Sequence, residues 1–417
     1  MLDHTSATPI AQIQELRVEF QTQDGPVLGV ENVSFDIRAG ETVCVVGESG
    51  SGKSVSSLSL MRLVEFGGGR IAGGRLLFER QHAPAIDLAQ TNQDLMREIR
   101  GNEIGMIFQE PMTALNPVFT VGRQLTEGLR LHKRMSRSQA ETRALELLTQ
   151  VRIPEPERRL TQYPHELSGG MRQRVVIAMA LACSPRLLIA DEPTTALDVT
   201  IQAEILALID RLKRETGTAV MFITHDMAVV AQMADRVVVM FRGNKVEEGT
   251  VEEIFENPQH PYTKALLAAV PKLGEMRGKP YPEPMKLLGT QGKEIVPIKG
   301  TEDTLLTVKN LTTRFPVTGG FLRRTIANVH AVEDLSFTIN KGQTLSLVGE
   351  SGCGKSTAGR SVLRLVEPLS GEINIDGKDI MALNAKGLRE SRLDMQMIFQ
   401  DPFASLNPQM QLSDQVA

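Results

Sequence analysis

The sequence predicts an α/β fold that occurs twice along the chain, the second time incompletely. The first observation is a short apolar segment rich in β-branched residues, Thr42 to Val46, followed by a glycine-rich loop and then by a segment that can form a helix. The second observation is that the same order recurs from Thr344 onwards. A period of roughly 300 residues is far too long for a solenoid, so it indicates a duplicated domain.

The first glycine-rich loop reads G-x-x-x-x-G-K-S, the pattern of a phosphate-binding P-loop. Its glycines let backbone N–H groups approach an anion, and the helix that follows adds its own unpaired N–H groups and positive dipole end. We expect Lys53 to reach the β- and γ-phosphates of ATP and the Ser54 hydroxyl to ligate Mg²⁺. The residues predicted to bind ATP here are Gly47, Glu48, Ser49, Gly50, Ser51, Gly52, Lys53 and Ser54.

The second loop has the same pattern, and Ser356 is its predicted Mg²⁺ ligand. The repeat extends beyond the loops, because residues 30–37 match 332–339 and residues 106–111 match 397–402. The residues predicted to bind ATP in the second copy are Gly349, Glu350, Ser351, Gly352, Cys353, Gly354, Lys355 and Ser356.

Composition excludes several classes of protein. The chain has 417 residues, enough for two or three domains, and its 41% hydrophobic and 23% charged residues are typical of a globular protein. A formal net charge of −4 gives no support for a nucleic-acid partner. The 3 cysteines are far apart, so neither a zinc site nor a disulfide framework is expected, and a reducing cytoplasm fits. We find no signal peptide and no membrane-spanning run, so any membrane link is expected to come through a partner.

The segments around the first loop predict strands and a helical lobe. Residues 14–40 alternate apolar and polar, with a turn near Gly25, and Phe20 is either a base-stacking aromatic or, as we favour, a core residue. Residues 65–100 are predicted to form a loop and short strands. Residues 119–165 look helical, because Val121, Leu125 and Leu129 share a face.

A strand at residues 106–108 is predicted to end at Gln109. Its amide could orient water or contact Mg²⁺, and its recurrence as Gln400 strengthens that interpretation. Further on, Ser168 is expected to cap a helix whose first N–H groups Gly169 and Gly170 expose. One nucleotide needs only one phosphate-binding helix N-terminus in a domain, and the P-loop already provides it. The second one, at Ser168, therefore suggests that it binds the phosphate of a nucleotide held by another domain.

Two further predicted strands end in polar residues. The apolar segment 186–190 is followed by Asp191, expected to hold Mg²⁺ through water, and by Glu192, placed to polarise attacking water. The strand over 220–223 leads to His225, which could contact the γ-phosphate. Gln109, Glu192 and His225 are therefore the candidate catalytic residues. The candidate Mg²⁺ ligands are Ser54, Gln109, Asp191, Ser356 and Gln400.

Together, the P-loop, Gln109, the LSGGM segment followed by RQR, the Asp191–Glu192 pair, the TALD segment and His225 resemble the nucleotide-binding domain of ABC transporters. The resemblance implies an α/β P-loop NTPase fold with an antiparallel β subdomain and a helical subdomain. It also implies that two such domains sandwich two ATP molecules, each lying between one domain's P-loop and the other's signature loop. It places Ser168, Gly169, Gly170 and Asp198 at the ATP site. Met171 stands where the family usually has Gln.

The stretch 257–271 resembles the C-terminal tail of the dipeptide and oligopeptide importer ATPases. Many of those proteins bind an iron–sulfur cluster through cysteines after this tail, but no cysteine lies between Cys183 and Cys353, so no cluster is expected. The tandem arrangement resembles the branch that imports glutathione. The resemblance implies two transmembrane permease subunits, an indirect link to a periplasmic substrate-binding protein, and a peripheral location on the cytoplasmic face of the inner membrane.

The expected domains are a first nucleotide-binding domain at 12–256, a tail and proline-rich linker at 257–304, and a truncated second domain at 305–417. The sequence stops shortly after Gln400, before a second signature loop, so we expect either a fragment or a truncated product in which neither composite site is complete. Pairing of two first domains between chains is then expected to allow slow hydrolysis. The alternatives are a non-catalytic nucleotide-binding fragment and a soluble ABC-type ATPase acting on ribosomes or DNA.

Overall fold

The computed structural model describes residues 8–22, 25–109, 114–195, 197–271, 274–275, 277–278, 302–319, 324–400 and 405–416. The chain divides into two compact units, unit 1 at 1–295 and unit 2 at 296–417. Most of the predicted linker lies outside the described residues. No helix in the described ranges is long and apolar enough to cross a bilayer.

Unit 1 is built on a ten-stranded mixed sheet, with the spatial order β5-β4-β1-β2-β10-β9-β3-β8-β7-β6. Its strands are β1 Pro9–Thr22, β2 Gly25–Arg38, β3 Thr42–Val46, β4 Gly69–Phe78, β5 Ile86–Asp87, β6 Ile104–Ile107, β7 Leu187–Asp191, β8 Ala219–Ile223, β9 Arg236–Phe241 and β10 Asn244–Thr250.

The helices of unit 1 cover the sheet and form a helical lobe between β6 and β7. They are α1 Lys53–Leu60, α2 Gln93–Ile99, α3 Val121–His132, α4 Arg137–Gln150, α5 Pro156–Leu160, α6 Gly169–Leu181, α7 Val199–Thr216, α8 Met227–Met233, α9 Val251–Glu256 and α10 Pro261–Ala268. Within the described residues of this unit, short 3₁₀ turns occupy Val64–Gly67, Leu88–Gln90 and Pro164–Glu166.

The strands β6, β7, β8, β3 and β9 are mutually parallel neighbours. Every residue of β3, β7 and β8 is buried, which explains why these strands are continuous apolar runs without alternation. Parallel strands end at one edge of a sheet, and ligands in open α/β sheets bind at the carboxyl ends. The parallel arrangement therefore brings the loops after β3, β6, β7 and β8 to one edge.

The antiparallel part of the sheet confirms the predicted strand pair, since β1 and β2 pair from Pro9–Arg38 to Thr22–Gly25. Phe20 packs against the apolar core, as the preferred interpretation had it. The prediction of only loops and short strands over 65–100 was wrong, because β4 is ten residues long and α2 is a helix. The Asn92 side chain caps α2.

The predicted helical face of α3 is confirmed, because Val121, Leu125 and Leu129 are buried in the core that the lobe shares with the sheet. The tail helix α10 also belongs to unit 1, since Tyr262 is buried in that same core. Cys44 on β3 and Cys183 after α6 are buried, as small apolar groups would be.

Unit 2 contains a four-stranded antiparallel sheet with the order β12-β11-β13-β14. Its elements are β11 Thr304–Gly319, β12 Arg324–Asn340, α11 Lys355–Val362, β13 Ser370–Ile375, β14 Lys378–Asp379, α12 Ala385–Ser391 and α13 Leu412–Val416. The β1–β2 pairing recurs as β11–β12.

The second copy does not form two of the strands that the first copy has. Residues 344–348 and 397–399, which correspond to β3 and β6, are not strands. In unit 1, β3 lies between β8 and β9, and β6 pairs with β7. Among the described residues of unit 2 no counterpart of those neighbours exists to accept the backbone hydrogen bonds, so these segments remain without a ladder.

Candidate nucleotide-binding site

The loop after β3 requires glycine at two positions. Gly47 has φ 150°, and a Cβ added there would lie 2.1 Å from the Met240 carbonyl oxygen. Gly52 has φ 98° and stands at the N-terminus of α1, where a Cβ would lie 2.8 Å from the Gly29 carbonyl oxygen. The loop is therefore pressed against neighbouring backbone, and its turn is one that residues with a side chain rarely adopt.

Lys53 lies inside the cradle of this loop. Its side chain is buried, and Nζ donates to the carbonyl oxygens of Gly47 and Glu48, both at 2.8 Å. Burial lowers the pKa of Lys53, although the acids Glu192, Asp191 and Glu48 oppose that shift. The buried Ser51 hydroxyl has no partner. A buried cation satisfied only by loop carbonyls, beside a spare hydroxyl, fits the phosphate groups of a nucleotide.

Asp191, at the end of β7, faces the first turn of α1. The Ser54 hydroxyl donates to its Oδ1 atom at 3.1 Å. Burial raises the pKa of Asp191 to about 6; Glu192 adds to the rise, while the Ser54 hydrogen bond and Lys53 oppose it. The described residues contain no cluster of three or more potential metal ligands. A hydroxyl and one carboxylate nevertheless suit Mg²⁺, which usually takes one or two protein ligands together with phosphates and waters.

Glu192 is the point where the predicted catalytic residues meet. Its Oε2 atom accepts from Gln109 Nε2 at 3.3 Å and from the Thr195 hydroxyl at 3.0 Å, and Oε1 lies 3.1 Å from His225 Nδ1. Burial raises the pKa of Glu192, but the hydrogen bonds from His225 and Thr195 outweigh it, so the net shift is downward. The carboxylate is therefore ionised at neutral pH and oriented from three sides.

Thr195 entered the sequence analysis only as the first residue of the TALD segment. The one signal available in the sequence was its position three residues after Glu192. His225 contacts Glu192 and is largely exposed, with 64% of its side chain accessible. Its placement toward a γ-phosphate stays a prediction, as do the other residue roles.

The second P-loop repeats the local conformation of the first. Gly354 has φ 98°, and Lys355 Nζ donates to the carbonyl oxygens of Gly349 and Glu350 at 2.7 and 2.6 Å. Ser356 and Gln400 are exposed. Among the described residues of unit 2, no carboxylate is hydrogen-bonded to Ser356 as Asp191 is to Ser54.

Comparison with known protein families decides the classification. The family model described as ABC transporter matches residues 30–195 and 332–415, which together make up more than half of the chain. The chain belongs to this family. A second model, described as the oligopeptide/dipeptide transporter C-terminal region, matches residues 246–288. The predicted family and the predicted α/β fold with an antiparallel sheet are thus confirmed.

Curated relatives span a greater length than this chain. The chain is 54% identical over 407 residues to the glutathione import ATP-binding protein GsiA of Pectobacterium atrosepticum, covering 96% of this chain and 65% of that one. It is 52% identical over 420 residues to GsiA of Escherichia coli K12, covering 99% and 67%. The chain therefore spans about two thirds of the length of these relatives.

Solved structures support the cassette fold of unit 1. A dimeric post-hydrolysis state of the ATP-binding cassette MJ0796 bound to ADP and Pi is 29% identical, with a TM-score of 0.52, and covers 58% of this chain and 98% of that one. A second dimeric structure of MJ0796, described as a bacterial ABC transporter cassette, is 30% identical with a TM-score of 0.51. Unit 1 is accordingly an ATP-binding cassette.

The signature loop of this ABC cassette is not hydrogen-bonded to its own P-loop in the part of the chain that the structure describes. Ser168 caps α6 by accepting from the Met171 N–H, and both Ser168 and Gly169 are exposed. Among the described residues, no hydrogen bond joins residues 168–170 to residues 47–54. Asp198, expected at the ATP site, caps α7 by accepting from the Ile201 N–H at 2.9 Å.

The N-termini of α6 and α7, which Ser168 and Asp198 cap, pack against each other. A Cβ at Gly170 would lie 3.2 Å from Ile201, so the starts of α6 and α7 are close together. Gln173, one turn into α6, donates to the Pro193 carbonyl oxygen next to Glu192. Gln173 was not singled out from the sequence. It ties the helix of the signature loop to the loop that carries the catalytic candidate.

Proposed function

We propose that this chain is an ATP-hydrolysing subunit of an ABC importer and that its unit 1 carries the complete set of catalytic side chains on one half of a composite site. The observation that carries the proposal is Glu192, held by Gln109, Thr195 and His225 beside the Ser54–Asp191 pair. An ionised, oriented carboxylate next to a phosphate cradle is the arrangement that general-base activation of water needs.

The steps follow from the contacts. The phosphates enter the loop at 47–54, and Lys53 exchanges its bonds to loop carbonyls for bonds to phosphate oxygens. Ser54 and Asp191 would hold Mg²⁺, which neutralises charge on the phosphates when bound. Glu192 accepts a proton from the attacking water, while Gln109 and His225 keep its two oxygens oriented.

The proposed site needs a second cassette. The exposed start of α6 offers unpaired N–H groups that its own P-loop does not use, and an opposed cassette places such a start over the phosphates. The dimeric structures of the related cassette MJ0796 support this pairing. ATP then favours the closed pair and hydrolysis the open one, so nucleotide shifts a conformational equilibrium.

Glutathione or a di- or oligopeptide is the proposed cargo. The names of the curated relatives and the match of residues 246–288 to the oligopeptide/dipeptide transporter region support it. Two permease subunits are the proposed membrane partners, contacted through the lobe formed by α3, α4 and α5, with a periplasmic binding protein delivering the cargo. The proposed location is the cytoplasmic face of the inner membrane.

The deciding experiment is phosphate release from Mg-ATP by the chain, measured over a range of protein concentrations. Turnover per chain is expected to rise with concentration, because unit 1 must pair between chains, and to fall by more than about 100-fold in Glu192→Gln, where the base is lost. Glu204→Gln is the matched control, because Glu204 is an exposed acid on α7 that pairs with Arg174 and not with any of the candidate catalytic residues.

Turnover that stays constant as concentration rises would contradict pairing of two first units. Retained nucleotide binding with no turnover at any concentration would favour the non-catalytic alternative. That alternative draws support from unit 2, whose P-loop is formed although no carboxylate in the described residues is hydrogen-bonded to Ser356.

A further inference from the structure

The tail helix α10 reaches the P-loop through one side chain. The hydroxyl oxygen of Tyr262 accepts a hydrogen bond from the backbone N–H of Glu48 at 2.9 Å, across 214 residues of sequence. Only 3% of Tyr262 is exposed. Burial raises the pKa of Tyr262, so its hydroxyl is neutral at physiological pH.

The position of Tyr262 is fixed from several sides. Its ring stacks on Phe241 of β9, with 4.2 Å between ring centroids. The N–H of Tyr262 donates to His260 Nδ1, which caps α10. The carboxylate of Glu247 on β10 accepts from the N–H groups of Gln259 and His260 at 2.6 and 3.0 Å. The tail is thus anchored on the sheet before it reaches the loop.

The backbone of Glu48 is held at both its N–H and its carbonyl group. Its N–H is bound by Tyr262, and its carbonyl oxygen accepts from Lys53 Nζ and from the Ser51 N–H at 3.1 Å. When Lys53 turns to phosphate oxygens, it releases the Glu48 carbonyl. The hydrogen bond between the Glu48 N–H and the Tyr262 hydroxyl then remains, and it connects the loop to a residue outside it.

We propose that Tyr262 is a positioning residue, whose hydroxyl fixes the first peptide of the P-loop and thereby makes the affinity of the site for ATP depend on the tail. The inference rests on the proposed function, because it assumes that the loop at 47–54 binds ATP. Without the hydroxyl, the Glu48 N–H loses its partner from the tail, and the loop is no longer tied to α10 at this position.

The test is Tyr262→Phe in the full chain, which retains the ring and its stacking on Phe241. Tyr163→Phe is the matched control, since it removes a hydroxyl from a partly exposed tyrosine of the same unit. We expect the Kd for ATP to rise about fivefold in Tyr262→Phe and to stay within twofold in Tyr163→Phe, with kcat at saturating ATP nearly unchanged in both.

Amide hydrogen exchange of the peptide that contains Glu48 gives a readout independent of nucleotide. In the nucleotide-free chain, exchange is expected to be faster in Tyr262→Phe and unchanged in Tyr163→Phe. Unchanged exchange, or faster exchange with an unchanged Kd, would overturn the positioning role. A wild-type chain that binds no ATP would refute the proposed function, whereas the exchange comparison would still decide whether Tyr262 holds the loop.

Discussion

The two P-loops of this chain have the same conformation in different surroundings. Each ends at a glycine with φ 98°, and each lysine binds the carbonyl oxygens of the loop's first two residues. The preceding segments differ. Val46 of β3 is fully buried, whereas its counterpart Val348 is 88% exposed. The loop and the start of its helix are therefore local structures, encoded by G-x-x-x-x-G-K-S.

The surroundings supply what the loop lacks. In unit 1, the strand β7 carries Asp191 to Ser54 and Glu192 to the neighbouring polar groups. In unit 2, the described residues place no such acid beside Ser356. A P-loop alone offers a phosphate cradle, and the chemistry depends on the parallel strands next to it. Three experiments test this difference between the units. They concern the two P-loop lysines, the segments before the loops, and Asp191.

The lysines should show the largest difference. We expect Lys53→Ala to lower ATP hydrolysis by about 30-fold or more, because it removes a charge-assisted contact to phosphate. Lys355→Ala is expected to change hydrolysis by less than about threefold, because no described carboxylate of unit 2 is hydrogen-bonded to Ser356 as Asp191 is to Ser54. The measurement is steady-state phosphate release at saturating Mg²⁺. Equal losses in the two variants would show that the second loop takes part in turnover.

The preceding strands offer a matched pair of valines. Val46→Ala removes two fully buried methyl groups and is expected to lower the free energy of unfolding of unit 1 by about 2 kcal/mol. Val348→Ala is expected to change unfolding by less than about 0.5 kcal/mol. Urea denaturation monitored by circular dichroism measures the free energy of unfolding of both variants. A comparable loss for Val348→Ala would mean that residues 344–348 are packed in solution.

The smallest effect concerns the pH dependence of stability. Burial raises the pKa of Asp191 to about 6, above its value in an unfolded chain, so the folded state binds this proton more tightly. Stability should therefore rise as pH falls through 6, by about 1 kcal/mol between pH 7.5 and 5.5. The measurement is urea denaturation of the metal-free chain in chelator.

Asp191→Asn provides the control for that experiment. The amide retains an oxygen that accepts from Ser54 and has no proton to gain, so the difference between wild type and variant isolates this group. If both proteins show the same pH dependence, Asp191 is not the group responsible, and the environment of β7 is more polar than the structure indicates.

The sequence predicted most of unit 1 because local and long-range signals agreed there. The buried strands are apolar, and the P-loop and signature loop have short patterns with a direct physical meaning. Gln109, Glu192 and His225 were candidates on position alone, and the structure joins them through hydrogen bonds. Such contacts depend on side-chain geometry, which spacing does not encode.

Other features depend on contacts between residues distant in sequence. The bond from Tyr262 to Glu48 joins two segments whose patterns carry no sign of each other. The helix α2 was missed because seven residues give a weak periodic signal among glycine-rich neighbours. Residues 344–348 have the apolar pattern of a strand but do not form one. The strands that pair with the corresponding β3 in unit 1 have no counterpart in the described residues of unit 2.

The distribution of cysteines gives the chain a built-in chemical reporter. Cys44 lies in the buried strand before the first P-loop, whereas Cys353 is exposed within the second. Burial raises the pKa of Cys44, so its thiol stays protonated and unreactive until the sheet opens. A thiol reagent should therefore modify one site at once and the buried ones at the rate of local unfolding. The opening of unit 1 can thus be timed through its buried thiols, with the exposed Cys353 as an internal reference for the reagent.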